Sequence, residues 1–315
     1  MANREKHRII RWAVAVGVLL LLAAAIWGWL EQNRGEPTTV TWLIGVSEHD
    51  LNDPWCRQRM QQIEAGLEDR EDIRLITLNA GRSVAKQQQD IQYLLTYGVD
   101  LLLISPGEAE ALTPAIEEAC EQVPVVILDN PVDTDAYALF IGPDNYEAGR
   151  QMGEKLLETI PEGQSQRVVE VRGTYTSPTA QRRHEGFVDV VQDSPKVELA
   201  ESFCADWLTE YAQNKVTALW ERGGQPDLYV CQGTAMSYGV FRALDKLGVQ
   251  GRSIWNIAEH PQDQVGKNLC DFAMIQGSLE WQEPALPLHQ YLLRLLEGEE
   301  LPREIWLQPQ WYESS

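Results

Sequence analysis

The chain has 315 residues, 44% apolar and 8% aromatic, a composition that supports two domains with sizeable cores and excludes wholesale disorder. Its formal net charge is −21. Residues 1–36 hold only five of the 26 Lys and Arg and three of the 47 Asp and Glu, so the remainder carries −23. Such a surface repels nucleic-acid phosphates and anionic lipid and suits a neutral or cationic ligand.

The amino terminus reads as a membrane segment. Trp12–Leu30 is an uncharged apolar run long enough to cross a bilayer as a helix, and Arg4, Lys6, Arg8 and Arg11 precede it. The positive-inside rule then keeps residues 1–11 in the cytoplasm as a basic tail and exports the rest, with 31–39 as a short linker. Trp12, Trp27 and Trp29 stand where interfacial aromatics belong. A cleaved signal peptide, with a small-residue site at Ala23-Ala24-Ala25, is the alternative.

A regular alternation follows. Thr41–Val46 predicts a buried strand, Ser47–Pro54 a polar loop, and Trp55–Arg70 an amphipathic helix. Strands are then expected at 73–78, 101–104, 125–128 and 138–141, with helices at 83–97 and 112–122 between them. A second series has strands at 167–171, 197–203, 228–231, 253–257 and 272–275. Its helices fall at 146–159, 179–192, 208–222, 235–247 and 262–269, and a last long helix at 280–296. Two series of strand–helix units predict an α/β protein with two doubly wound, Rossmann-like lobes. In such sheets the loops at the carboxyl ends of the strands face the ligand, which puts Asp53 and Trp55 at a cleft.

The motifs of catalysis are absent. The sequence has no GxGxxG after a strand, no GxxxxGK[ST] and no GxSxG. Cys56, Cys120, Cys204, Cys231 and Cys270 show no CxxC pair. His7, His49, His184, His260 and His289 form no HExxH, so no metal site and no cofactor are expected. The chain reads as a binding protein and not as an enzyme.

Several stretches, in order from Val40 nearly to the end, resemble the ribose/galactose-type periplasmic binding proteins, whose lobes are shared with lac-repressor-type regulators. They include Asn52-Asp53-Pro54-Trp55 after the first strand, Leu102–Pro106, Pro124–Asp129 and Ile141-Gly142-Pro143-Asp144-Asn145. In the second half they are Arg183-His184-Glu185-Gly186-Phe187 and Met236–Leu244. A membrane span stands where a repressor has its DNA-reading helices, so a nucleic-acid partner is not expected.

The resemblance implies two lobes joined by three hinge strands and closing on a ligand. The first would comprise 40–142 with 279–306, the second 143–278 with 307–315. The chain would cross near Gly142–Asp144, Gln276–Ser278 and Leu301–Leu307, with an Ile305–Gln308 strand returning to the second lobe. Position by position, the first-lobe ligand set would be Asp53, Trp55 and Asp129, with Asn130 where an arginine often stands and Cys56 at an aromatic position. In the second lobe Trp207 falls at an aromatic position. The family's arginine falls at Gln181, with Arg182 and Arg183 nearby. Gln232, Asn256, Glu259 and Ser278 fall at or beside the remaining polar positions. These departures make ribose itself a poor fit. The implied function is a membrane-anchored extracytoplasmic protein that clasps a sugar-like ligand and delivers it to an ABC permease. The other reading is a sensing subunit that docks on a sensor histidine kinase.

Overall fold

The computed structural model describes residues 41–258, 264–281 and 287–312, together with Leu22, Ile26 and Trp27. The membrane segment expected at 12–30 lies outside these residues except for those three, which are helical and exposed. Among the described residues no helix is long and apolar enough to cross a membrane.

Residues 42–315 carry two six-stranded sheets. The first half runs β1 (Trp42–Glu48), α1 (Pro54–Leu67), β2 (Ile73–Asn79), α2 (Val84–Tyr97), β3 (Leu101–Ser105), α3 (Ala109–Cys120), β4 (Val125–Leu128) and β5 (Leu139–Pro143). The second runs α4 (Asn145–Thr159), β6 (Gln166–Arg172), α5 (Pro178–Val191), β7 (Val197–Cys204), α6 (Thr209–Glu221), β8 (Leu228–Cys231), α7 (Thr234–Leu247), β9 (Ser253–Ile257), α8 (Gln264–Asp271) and β10 (Gly277–Trp281). Then come α9 (Leu288–Leu296), β11 (Glu304–Leu307) and β12 (Pro309–Tyr312).

The first sheet has the order β11-β5-β4-β3-β1-β2 and is parallel throughout. The second has the order β12-β10-β9-β8-β6-β7, parallel except for β12 against β10. Strand order reverses beside β1 in one sheet and beside β6 in the other, which opens a crevice at the carboxyl ends of these strands. Helices cover both faces, so the strands read as continuous apolar runs. Leu101 to Ser105 and Val125 to Leu128 are buried at every position. Helix boundaries follow their caps: Ser83, Asp144 and Ser177 each accept a backbone N–H three residues on, and Gly98 and Gly248 close α2 and α7 in the left-handed region.

Helices α4 and α5 pack closely against each other. A Cβ on Gly149 would stand 2.0 Å from the Arg183 carbonyl oxygen, and one on Gly186 the same distance from that of Tyr146. Only glycine at both crossing points permits this approach.

The carboxy-terminal part departs from the sequence expectation. Residues 272–276 are turn and bend, with Ala273 at φ 54°, and the strand lies later, at 277–281. Of the long helix expected at 280–296, Glu280 and Trp281 belong to β10 and Leu288–Leu296 form α9, with Pro287 at its start. Strand β10 belongs to the second sheet, so the chain leaves that sheet after Trp281 rather than near Gln276–Ser278. The Ile305–Gln308 strand expected in the second lobe is β11 of the first sheet, paired with β5. It is β12 that returns to the second. The Asp144 N–H donates to the Leu307 carbonyl at 3.1 Å and ties the first crossing to the third.

Gly149→Ala should lower stability by about 1–3 kcal/mol through overpacking of α4 on α5, read as a drop in the thermal melting midpoint. An unchanged midpoint would contradict the close approach.

Candidate functional site

Between the two sheets, at the carboxyl ends of the strands, lies a cavity of ≈ 310 Å³. Its first wall comes from the loops after β1, β2, β3 and β4, and its second from the loops after β6 and β7 and the first turns of α5.

The first wall rests on a buried charge cluster. Arg59 lies in the inward stripe of α1 with Cys56, Met60, Ile63 and Leu67, and is 4% exposed. One terminal nitrogen holds Glu48, at the end of β1, through both carboxylate oxygens at 2.9 and 2.8 Å. The other donates to Asp129, just after β4. Burial pushes the Glu48 pKa up, and the Arg59 charge and hydrogen bonds oppose this. Burial works against the charge on Arg59, yet Asp129 and Glu48 hold its pKa well above the usual value. Asp129 adopts φ 66°, a left-handed conformation that aspartate tolerates better than most side chains. The Ser105 hydroxyl reaches the same carboxylate oxygen at 3.4 Å.

The rim is ordered by shorter links. Asp50 accepts from the Asn52 N–H at 2.9 Å and from Arg82 at 2.6 Å. Burial raises its pKa, but these partners outweigh it and hold the carboxyl below its ordinary value. Asp53 caps α1 by accepting the Cys56 N–H at 3.2 Å. His49 stands against Gly107; burial and the Arg82 charge hold its imidazole pKa low, opposed by Asp50. Burial pushes the Cys56 thiol pKa up, so it stays protonated.

The second wall centres on Arg183, 1% exposed. It donates to Asn145 Oδ1 at 2.9 Å and to the Gln232 carbonyl, and its guanidinium lies 5.4 and 5.9 Å from the Trp281 and Trp207 rings. Trp207, at φ 62°, lays its ring over Gly173, where any Cβ would collide with it. The walls touch through Asn130: its amide donates to the Pro106 carbonyl at 3.0 Å and its oxygen accepts from Thr179, on α5, at 2.9 Å.

The structure thus brings together Asp53, Cys56, Asp129, Asn130, Arg183 and Trp207 of the residues singled out from the sequence. Gln181 is not among them. It is exposed and bonds the Tyr175 carbonyl, because the buried stripe of α5 runs through Ala180, Arg183, Phe187 and Val191. Gln232 lies behind the wall, where its amide donates to Glu170 and the Ala180 carbonyl and accepts the Gly173 N–H. Asn256 and Ser278 are fully buried away from the cavity in a network with Ser237 and Thr234. Trp55 occupies the first turn of α1, but its side chain lies outside the described residues, as does Glu259. Arg59, Glu48, His49, Asp50, Arg82, Ser105 and Thr179 were missed from the sequence. An arginine inside an otherwise apolar helix stripe was the one available signal. Among the described residues no group of His, Cys, Asp and Glu could hold a metal ion.

A family model of the periplasmic binding protein domain matches residues 44–279. The ribose import binding protein of Bacillus subtilis is 25% identical over 210 residues, 65% of this chain and 66% of that protein. The xylitol-binding protein of Mycolicibacterium smegmatis is 25% identical over 188 residues, 59% of this chain and 53% of that protein. The matched stretches thus span between half and two thirds of these relatives. Among solved structures, the fructose-binding periplasmic domain of a hybrid two-component system is similar with a TM-score of 0.76 and 25% identity, over 86% of this chain and 90% of that one. A solute-binding protein of Bacillus halodurans with bound myo-inositol has a TM-score of 0.78 over 89% and 96% of the two chains, at 14% identity, a likeness of fold alone.

Arg59→Met should cost about 3–5 kcal/mol, because it leaves two carboxylates without their buried cation. Removing Arg59 raises the Glu48 pKa further. A carboxyl whose folded pKa exceeds its unfolded value costs stability at higher pH, and that cost falls on protonation. The deficit against the parent protein, measured by urea unfolding, should therefore shrink from about pH 8 to about pH 5. A deficit independent of pH would contradict the assigned charges.

Proposed function

This chain belongs to the periplasmic binding protein family, and from that premise we propose that it is an extracytoplasmic solute-binding protein that clasps a small, sugar-like ligand and releases it chemically unchanged. The observation that carries the proposal is the two-sided cavity. A carboxylate held by Arg59 stands on one wall, and a buried guanidinium beside an aromatic ring stands on the other. Carboxylates and guanidinium groups bond sugar hydroxyls, and a ring covers the apolar face of a pyranose or furanose. Closure of the lobes about the crossings after β5, β10 and β11 would trap the ligand between these groups.

The segment 12–30 would anchor the domain to the membrane with its bulk outside the cytoplasm. In the first reading the loaded protein delivers its ligand to an ABC-type permease, in keeping with the ribose import relative. In the second it signals to the extracytoplasmic part of a sensor histidine kinase. The likeness to a sugar-binding domain of a two-component system favours keeping this reading, as does a fixed anchor.

A thermal-shift panel of neutral, acidic and amino monosaccharides and polyols tests the clasp. A ligand at a hundred times its Kd adds about 2.7 kcal/mol, a rise of several degrees in Tm. A flat response across the panel would contradict the proposal. Uptake of the best ligand by cells lacking the chain separates the two readings. Lost uptake supports delivery to a permease. Retained uptake with a lost transcriptional response supports sensing.

A further inference from the structure

Among the described residues, one hydrogen bond joins a side chain of the first lobe to a side chain of the second: the Thr179 hydroxyl donates to Asn130 Oδ1 at 2.9 Å. Its first-lobe end is oriented by the protein. The Asn130 amide nitrogen donates to the Pro106 carbonyl at 3.0 Å. A carbonyl only accepts, so Oδ1 is the atom turned to the second lobe. The backbone beneath is set as well. The Asn130 N–H donates to the Leu128 carbonyl at 2.8 Å, and Asp129 before it adopts φ 66°. The second-lobe end is held by a helix. Thr179 stands in the first turn of α5, which Ser177 caps through the Ala180 N–H and which Gly186 lets pack on α4. Both partners are half-buried at the cavity wall.

We propose that Asn130 and Thr179 form a latch, a contact that fastens the closed arrangement of the lobes and so slows the release of what they hold. The proposal rests on the clasp described above and assigns the contact that keeps it shut. Asn130 is then a positioning residue: its amide is engaged by protein groups on both sides of the cleft, and it acts on a ligand through closure. The bond suits that task. A parting of the walls by about 0.6 Å takes it beyond hydrogen-bond reach, so it belongs to the closed form alone. A neutral hydrogen bond favours closure several-fold and is too weak to lock the cleft against release. Because both partners belong to the chain, it acts in the empty protein as well as the loaded one. Affinity gained by such a population shift appears in the off-rate, since encounter with an open cleft precedes it.

Hydrogen–deuterium exchange of the full chain, without added ligand, tests the latch. Thr179→Val removes the hydroxyl and keeps the shape. It should speed exchange about three- to tenfold, the worth of one such bond. The effect should appear in the second-lobe stretch 172–182 and also across the cleft, in 102–112 and 128–141. A role confined to α5 would loosen the second-lobe stretch alone. Thr179→Ser keeps the hydroxyl and should exchange like the parent. Adding Thr179→Val to Asn130→Ala should change nothing further, because both remove the same bond. First-lobe exchange unmoved by Thr179→Val, or additive effects of the two substitutions, would overturn the proposal. In a second arm, D-ribose, xylitol and myo-inositol are offered to parent and variant. Any that binds the parent should leave Thr179→Val about three- to tenfold faster, with its on-rate within about twofold. An equal off-rate would overturn the latch and leave the clasp standing. Failure of all three to bind the parent would count against the clasp, while the exchange arm still decides the latch.

Discussion

One buried guanidinium organises the first half of this molecule. Arg59 sits where α1 presents its apolar stripe to β1, a place that aliphatic residues fill at Met60, Ile63 and Leu67. A charge there faces a large desolvation cost, offset only because Glu48 and Asp129 meet it with complementary geometry. Replacing such a cluster with apolar side chains commonly leaves stability equal or greater, so its physical use lies elsewhere. Here it pins the last residue of β1 and the first residue after β4 to one helix, and so fixes the direction of the Asp129 carboxylate. The left-handed backbone at Asp129 is held by the same contacts, with its N–H bonded to the Ile141 carbonyl.

The second wall reaches comparable rigidity by another route. Gly149 and Gly186 let α4 and α5 approach until Arg183 lies beside Asn145, and the guanidinium is then stacked near two indole rings. Behind it, Gln232 ties β8 to the loop after β6 and to the start of α5. Each wall is thus preorganised by its own sheet, and the Thr179–Asn130 hydrogen bond joins them directly. A site built this way loses little side-chain freedom when a ligand arrives.

Much of the architecture was legible in the chain because parallel strands buried on both faces give apolar runs, and capping residues bound the helices between them. Asp53 was legible because it follows the first strand, where doubly wound sheets bind ligands, whereas Asp129 and Trp207 were legible only through the family resemblance. Legibility failed where local pattern and tertiary setting diverge. The apolar stretch at 272–275 lies in a turn, whereas Gly277–Trp281, with two polar side chains, is the buried strand, since Ser278 and Glu280 find partners inside the protein. Spacing placed a ligand arginine at Gln181, but helical phase turns Arg183 inward instead. Gln232, Asn256 and Ser278 fall at or beside the polar positions of the resembled family, and here they hydrogen-bond the scaffold. The Arg59 cluster joins residues eleven and seventy positions apart, a separation at which sequence pattern carries no information.

The most direct test of the two-walled clasp is a crystal structure of the chain bound to whichever compound most raises its melting temperature. Ligand density in contact with both the Asp129 carboxylate and the Arg183 guanidinium is the expected result. Density elsewhere, or contacts confined to one lobe with Asp129 and Arg183 unchanged, would contradict it.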